Sequence, residues 1–191
     1  MSDRRSAILD AAIAVIARRG VRGLRVEEVA AEAGVATSLL YYYFDNRNGL
    51  VRATLDHANE RAATKLAPDE VSGREAVERT LLGELDGGAG VRDTSVVWGE
   101  VLASAVFEPD LRDQLREATG KWNELVAGAI RGGLADGSIR AGIDADACAE
   151  RLTALVDGLS ARWLAGVVTR EDAQALLAGA IALELGRADT G

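Results

Sequence analysis

Residues 33–44 read AGVATSLLYYYF, a stretch that holds all three tyrosines of the 191-residue chain and one of its two phenylalanines. Tyrosine is a poor filler for a small helical core, because each buried hydroxyl needs a hydrogen-bond partner. Ala33-Gly34-Val35 reads as a tight turn in which Gly34 adopts positive φ without strain. A short helix over 37–43 follows it, and a short helix over about 26–33 precedes it, with Val26, Val29, Ala30 and Ala33 inward. Two short helices joined by a glycine-containing turn form a helix-turn-helix, whose second helix enters the major groove of DNA. On that helix Leu40 and Phe44 share one face, while Ser38 and Tyr42 share another. Three consecutive tyrosines fan over about 200° and cannot all face a core. An outward phenol can donate to a phosphate oxygen or lie against sugar. The competing reading is a surface tyrosine cluster that packs against another subunit.

Outward from this stretch, every long periodic segment has the helical period, so the predicted fold is all-α with about nine helices. A first helix covers 3–19, with Ile8, Ala11, Ala12, Val15 and Ile16 on one face and Gly20 placed to end it. Asp45 and Asn46 are candidate caps for a helix reaching Ala67, before Pro68. Ser72-x-x-Glu75 opens the next, which fades into Gly87-Gly88-Ala89-Gly90. Helices over about 92–107, from Pro109 to 135, from the Asp144 cap to 165, and from Thr169 to near Gly186 complete the chain. The expected division is a helix-turn-helix head over 1–46 and a larger helical body over 47–191.

The net charge of −8 is unevenly spread. Residues 1–50 carry seven arginines against six carboxylates, so the acidic excess belongs to the rest of the chain. An acidic body favours a geometry in which only the head meets DNA. The opening MSDRRSAILD passes straight into a helical pattern, unlike a signal peptide, and no apolar run is long enough to span a membrane. Cys148 is the single cysteine. A reducing, cytoplasmic setting is expected.

One histidine and one cysteine leave little for a Ser-His-Asp, Cys-His or zinc constellation. No P-loop and no Glu-x-x-His pair occurs. No enzymatic activity, metal or cofactor is therefore expected. A helical dimerisation or scaffold protein without DNA binding is the stronger alternative, and an enzyme the weaker.

Gly20 followed by VEEVAAEAGVATSLLYYYFDNRNGL at 26–50 resembles the DNA-binding domain of TetR-family transcriptional regulators. The shared pattern is a glycine after the first helix, V-A-x-x-A-G-V, a small-residue pair, L-Y-x-x-F, and a basic residue opening the fourth helix. The resemblance implies that Thr37, Ser38 and Leu39 face bases and backbone. It implies that Tyr41 grips phosphate, that Tyr42 and Tyr43 are further contact positions, and that Arg47 reaches phosphate from the fourth helix. Arg25 stands where a Ser or Thr cap is usual and can touch phosphate instead. Ala36 replaces the usual Ser, leaving Thr37 as a substitute cap. Leu39 replaces a small polar residue, which favours contact with a thymine methyl.

The resemblance further implies a small-molecule pocket within helices four to seven and a homodimer through the last two helices. Candidate pocket residues are His57, Trp98, Leu102, Phe107, Trp122 and Val126, since ligand cavities are mostly apolar with a few polar groups. Plain core packing is the alternative for the tryptophans, and Glu100, just beyond Trp98, reads as an exposed carboxylate rather than the partner of a cationic ligand. Candidate interface residues are Leu152, Leu155, Val156 and Leu159, with Leu176, Leu177, Ala180 and Ile181. The implied partners are an inverted-repeat operator in double-stranded DNA, a small effector and a second copy of the chain. The family leans to repression.

Overall fold

The computed structural model describes residues 2–64 and 71–186. Among them are nine α-helices and no strand: α1 Ser2–Gly23, α2 Val26–Glu32, α3 Thr37–Phe44, α4 Arg47–Thr64, α5 Gly73–Gly83, α6 Ala89–Ala105, α7 Pro109–Ala135, α8 Ala145–Leu164 and α9 Arg170–Leu185. None of these helices is long and apolar enough to cross a membrane. The predicted end of the fourth helix at Ala67 lies outside the described residues.

The helix ends follow local chemistry. Gly20 takes φ 71° and ψ 167°, breaking α1 where the sequence reading ends the first helix. The Ser72 hydroxyl accepts from the Glu75 amide, Asp144 accepts from Asp146 and Ala147, and Thr169 accepts from Asp172. Each thereby satisfies amide groups that have no partner inside the helix. Asn46 caps α4, its Oδ1 accepting from Gly49 N at 2.9 Å. Asp45 is not a cap for α4; it closes α3 with φ 56°, the only described non-glycine residue at positive φ. Asx side chains tolerate that region better than most. Thr37 does not cap α3 either. Ala36 holds the cap position without a side-chain bond, so Thr37 is the first helical residue. α6 starts at Ala89, inside the glycine-rich run, because the Gly88 carbonyl accepts from both Val91 and Arg92.

The described residues pack as two units, one drawn from 2–64 and 93–118 and the other from 71–92 and 119–186. In the first, Ile8, Leu9, Ile16, Val29, Leu40, Phe44, Leu50, Leu55, Val97, Val101 and Leu111 form one buried core. α1–α3 therefore share their core with α4 and with parts of α6 and α7, so the packing of the head does not stop at residue 46. In the second, Val77, Leu81, Leu85, Val126, Ile130, Leu152, Leu159, Leu177 and Ile181 form a separate core. Each fully buried Leu or Ile stabilises its unit by about 1.5–3 kcal/mol relative to exposure.

This second core corrects the expected dimer interface. Leu152, Val156, Leu159, Leu177 and Ile181 are buried within the chain itself and have no surface left to offer. Helical periodicity marks them as one apolar stripe, and the stripe is consumed where α8 and α9 pack on each other and share a core with α5 and α7. Leu155 and Ala180 are half-buried, and Leu176 is 54% exposed.

Candidate nucleic-acid interface

The turn between α2 and α3 is closed by backbone bonds from Ala33 N to Val29 O, Gly34 N to Ala31 O and Val35 N to Ala30 O. Gly34 sits at φ 66°, the left-handed region that glycine enters without steric cost. α3 is fixed from below by Leu40 and Phe44, both buried. The Arg5 guanidinium lies 5.6 Å over the Phe44 ring, within cation–π range.

With that face inward, the opposite face is set. Ser38 is exposed, Tyr41 is 48% exposed and Tyr42 is 75% exposed. Tyr43 differs: it is half-buried against the core, with ring centroids 5.4 Å from Tyr42 and 5.9 Å from Phe44. Its edge-to-face contact braces Tyr42 from behind. Leu39 is likewise half-buried against the core, while Thr37 is partly open. Arg25 is exposed beside the start of α2 and offers no cap, as its all-donor guanidinium dictates. Ion pairs Arg18–Glu32 and Arg19–Glu28, both 2.7 Å, tie α1 to α2 across the surface.

Arg47 is placed otherwise than the resemblance implies. Its guanidinium donates to the carbonyls of Val21 and, at 3.2 Å, Leu24, so it holds the α1–α2 junction.

The candidate pocket residues fall in both units. In the first, His57 Nε2 lies 2.9 Å from Asp10 Oδ1, an α1–α4 pairing. Phe107 is 70% exposed, with the Arg22 guanidinium 5.1 Å over its ring, and Leu102 is exposed. Trp98 packs against the core, and its indole Nε1 is buried without a hydrogen-bond partner among the described residues. Gln114 on α7 shows the same feature. Its Nε2 donates to Arg52 O at 2.6 Å and Asp56 Oδ1 at 3.1 Å, and its Oε1 is buried with no partner among the described residues. Both partners are acceptors, which fixes the orientation of the amide. In the second unit, Trp122 packs partly buried against the core and Val126 is fully buried.

Sequence reasoning missed Arg5, Gln114 and the role of Glu100. Glu100 Oε2 accepts from Val21 N at 2.9 Å, 79 residues away in the chain. No local pattern signals a contact of that separation. Among the described residues no cluster of His, Cys, Asp and Glu is arranged to hold a metal ion.

An anchored α3 presenting hydroxyls and phenols, behind a turn set by Gly34, defines a helix-turn-helix head on a helical body. That is the layout of helix-turn-helix DNA-binding regulators. Residues 8–54 match the family model for bacterial regulatory proteins of the tetR family, and residues 73–186 match that for the BetI-type transcriptional repressor C-terminal domain. The chain belongs to the TetR family of bacterial transcriptional regulators. A solved TetR-family regulator from Rhodococcus sp. is 44% identical, with a TM-score of 0.91, covering 97% of this chain and all of that one. A regulator from Saccharomonospora viridis, solved in complex with choline, is 29% identical, with a TM-score of 0.76, covering 94% of this chain and 95% of that one. The regulator BetI of Ectopseudomonas mendocina is 26% identical over 173 residues, 88% of this chain and 84% of that protein.

Proposed function

We propose that the protein represses transcription as a homodimer on an inverted-repeat operator, in the bacterial cytoplasm, and that a small molecule releases it. The exposure of Tyr41 and Tyr42 on a helix pinned by Leu40 and Phe44 carries this reading. In it, Thr37 and Ser38 approach bases and backbone, and the Tyr41 and Tyr42 hydroxyls donate to phosphates. Arg25 adds a charged phosphate contact, and Tyr43 and Leu39 hold the helix at its height. Arg47 serves DNA indirectly through the carbonyls it grips.

The proposed interface is the outer face of α8 and α9. On α8, Ala154, Gly158 and Ala161 are exposed along one face; on α9, Ala175, Leu176, Gly179, Ala182 and Leu183 are exposed along another. Leu183 is 82% exposed, a large apolar side chain left in water by the single chain. Small residues let helices approach closely, which suits a second copy using the same face. Leu155 and Ala180 line its edge.

For the effector we favour the first unit, where, among the described residues, Trp98 carries a donor without an acceptor and Gln114 an acceptor without a donor. Burying such groups unpaired costs about 1–3 kcal/mol each, which a ligand bearing a hydroxyl or amide would recover. The choline-bound relative supports a small polar organic effector. Occupancy that shifts α4 or α6 would alter the separation of the two heads, and a dimer must match half-site spacing along the duplex.

Selection of duplexes from a random pool by the full-length protein tests the reading. An inverted repeat with half-sites about one helical turn apart is expected. Enrichment of a single half-site without symmetry would contradict the dimeric mode.

A further inference from the structure

Both backbone polar groups of Val21 are held by charged side chains from other helices. Its N–H donates to Glu100 Oε2 on α6 at 2.9 Å. Its carbonyl accepts from the Arg47 guanidinium on α4, which also reaches Leu24 O. The preceding residue, Gly20, is at φ 71°, and a Cβ there would lie 2.5 Å from Glu100 Oε2. A side chain at position 20 would push the carboxylate aside, and the positive φ there favours glycine on its own account. One residue beyond Val21, Arg22 stacks on Phe107, so residues 100–107 touch the end of α1 twice.

The position of this junction matters because α2 begins at Val26, immediately after it, and α3 follows α2 through a four-residue turn. Displacing Val21 displaces the origin of the helix-turn-helix. Glu100 lies in the segment matched by the BetI-type C-terminal model, and Val21 in the segment matched by the DNA-binding model. The bond joins those two segments inside one packing unit. A carboxylate accepting a backbone N–H is a charge-assisted bond, stronger than a neutral one.

We propose that Glu100 is a positioning residue for DNA binding, which fixes the α1–α2 junction through Val21 N–H and couples the state of α6 to α2 and α3. The inference rests on the reading of α3 as the DNA-contacting helix. Coupling of this kind is reciprocal: if α6 biases the head, engagement of DNA must bias α6.

The test uses full-length wild type, Glu100→Ala and Glu100→Gln with the duplex that wild type enriches from a random pool. Affinity and amide hydrogen exchange over residues 20–24 and 93–105 are measured with and without duplex. Glu100→Ala is expected to bind about tenfold more weakly, the loss of one charge-assisted bond. It should also speed exchange at Val21 in the free protein and abolish the DNA-induced change over 93–105. Glu100→Gln keeps an acceptor oxygen and should stay within about threefold of wild type. Wild-type affinity in a folded Glu100→Ala overturns the proposal, as does wild-type exchange over 93–105 that DNA leaves unchanged. If Glu100→Ala does not fold, Glu100→Asp, one methylene shorter, takes its place: faster exchange at Val21 with wild-type affinity is then the contrary result. Failure of the wild type to retain any duplex would instead contradict the DNA-binding reading, and is distinguished by its independence of residue 100.

Discussion

Gly73 and Gly133 meet backbone to backbone where the start of α5 crosses the end of α7. A Cβ on Gly73 would lie 2.0 Å from Gly133 N and 2.4 Å from its Cα. Neither atom belongs to a flexible side chain, so the helices themselves would have to part. Gly73→Ala is expected to lower stability by about 1–3 kcal/mol or more despite the better helix propensity of alanine. Gly128, on the same α7, has nothing within 4 Å of its would-be Cβ. Gly128→Ala should therefore raise stability by about 0.5–1 kcal/mol. Urea denaturation of the two variants checks the opposite signs.

Next to that crossing, the Asp136 carboxylate is held below the usual carboxylate range by the Ser138 hydroxyl, then by the N–H groups of Gly73 and Ser138. The Gly73 bond is 2.7 Å and the Ser138 amide bond 2.8 Å. A depressed folded-state pKa means that Asp136 stabilises the fold above the unfolded-state value of about 3.9. That contribution is lost as pH falls through the lower folded value. Asp136→Asn should therefore be less stable than wild type at neutral pH, with the difference vanishing in strong acid. Urea midpoints measured from pH 7 down to pH 2 read it directly; a difference that persists unchanged into acid would contradict it.

Cys148 is fully buried on α8. Burial, and then the neighbouring Glu184 carboxylate, push its thiol up to about 11. Only the thiolate is an effective nucleophile. Iodoacetamide at pH 8 should leave the native protein unmodified and label it fully in denaturant, as mass spectrometry would show. Rapid native labelling would mean that α8 opens at low cost.

On the outer face of α8 and α9, Leu183→Asp would place a charge in the proposed subunit contact while leaving the chain's own core untouched. Sedimentation is expected to show dimers for wild type and monomers for the variant, with unchanged helicity. Leu177→Asp offers the contrast: Leu177 is buried in the chain's own core. It should unfold the second unit rather than dissociate subunits.

Those two leucines also show how far the sequence could be read. Periodicity identified the apolar residues of α8 and α9, but not which of them the chain spends on itself. Leu152, Val156, Leu159, Leu177 and Ile181 go to the core that α8 and α9 share with α5 and α7, and the small residues between them face outward. Helix starts marked by Ser72, Pro109, Asp144 and Thr169 were legible because capping is local chemistry. The start of α6 was not, since a glycine run reads as a break until a carbonyl such as that of Gly88 is seen to accept. On α3 the inward pair Leu40 and Phe44 was legible, while the half-buried placement of Tyr43 required the neighbouring rings. Arg47 and Glu100 escaped for one reason: their partners are backbone atoms far off in the chain, and backbone carries no sequence signal.

The claim that α3 grips DNA through its exposed phenols is tested most directly by duplex affinity across a salt series. Wild type, Tyr42→Ala and Arg25→Ala would be compared on the duplex that wild type selects. Tyr42→Ala should bind about tenfold more weakly at every salt with the same slope, since it removes a neutral donor. Arg25→Ala should lower the slope of log affinity against log salt by about 0.9, the release of one phosphate-bound charge. Unchanged affinity for Tyr42→Ala across the series would contradict the assignment of α3 as the DNA-contacting helix.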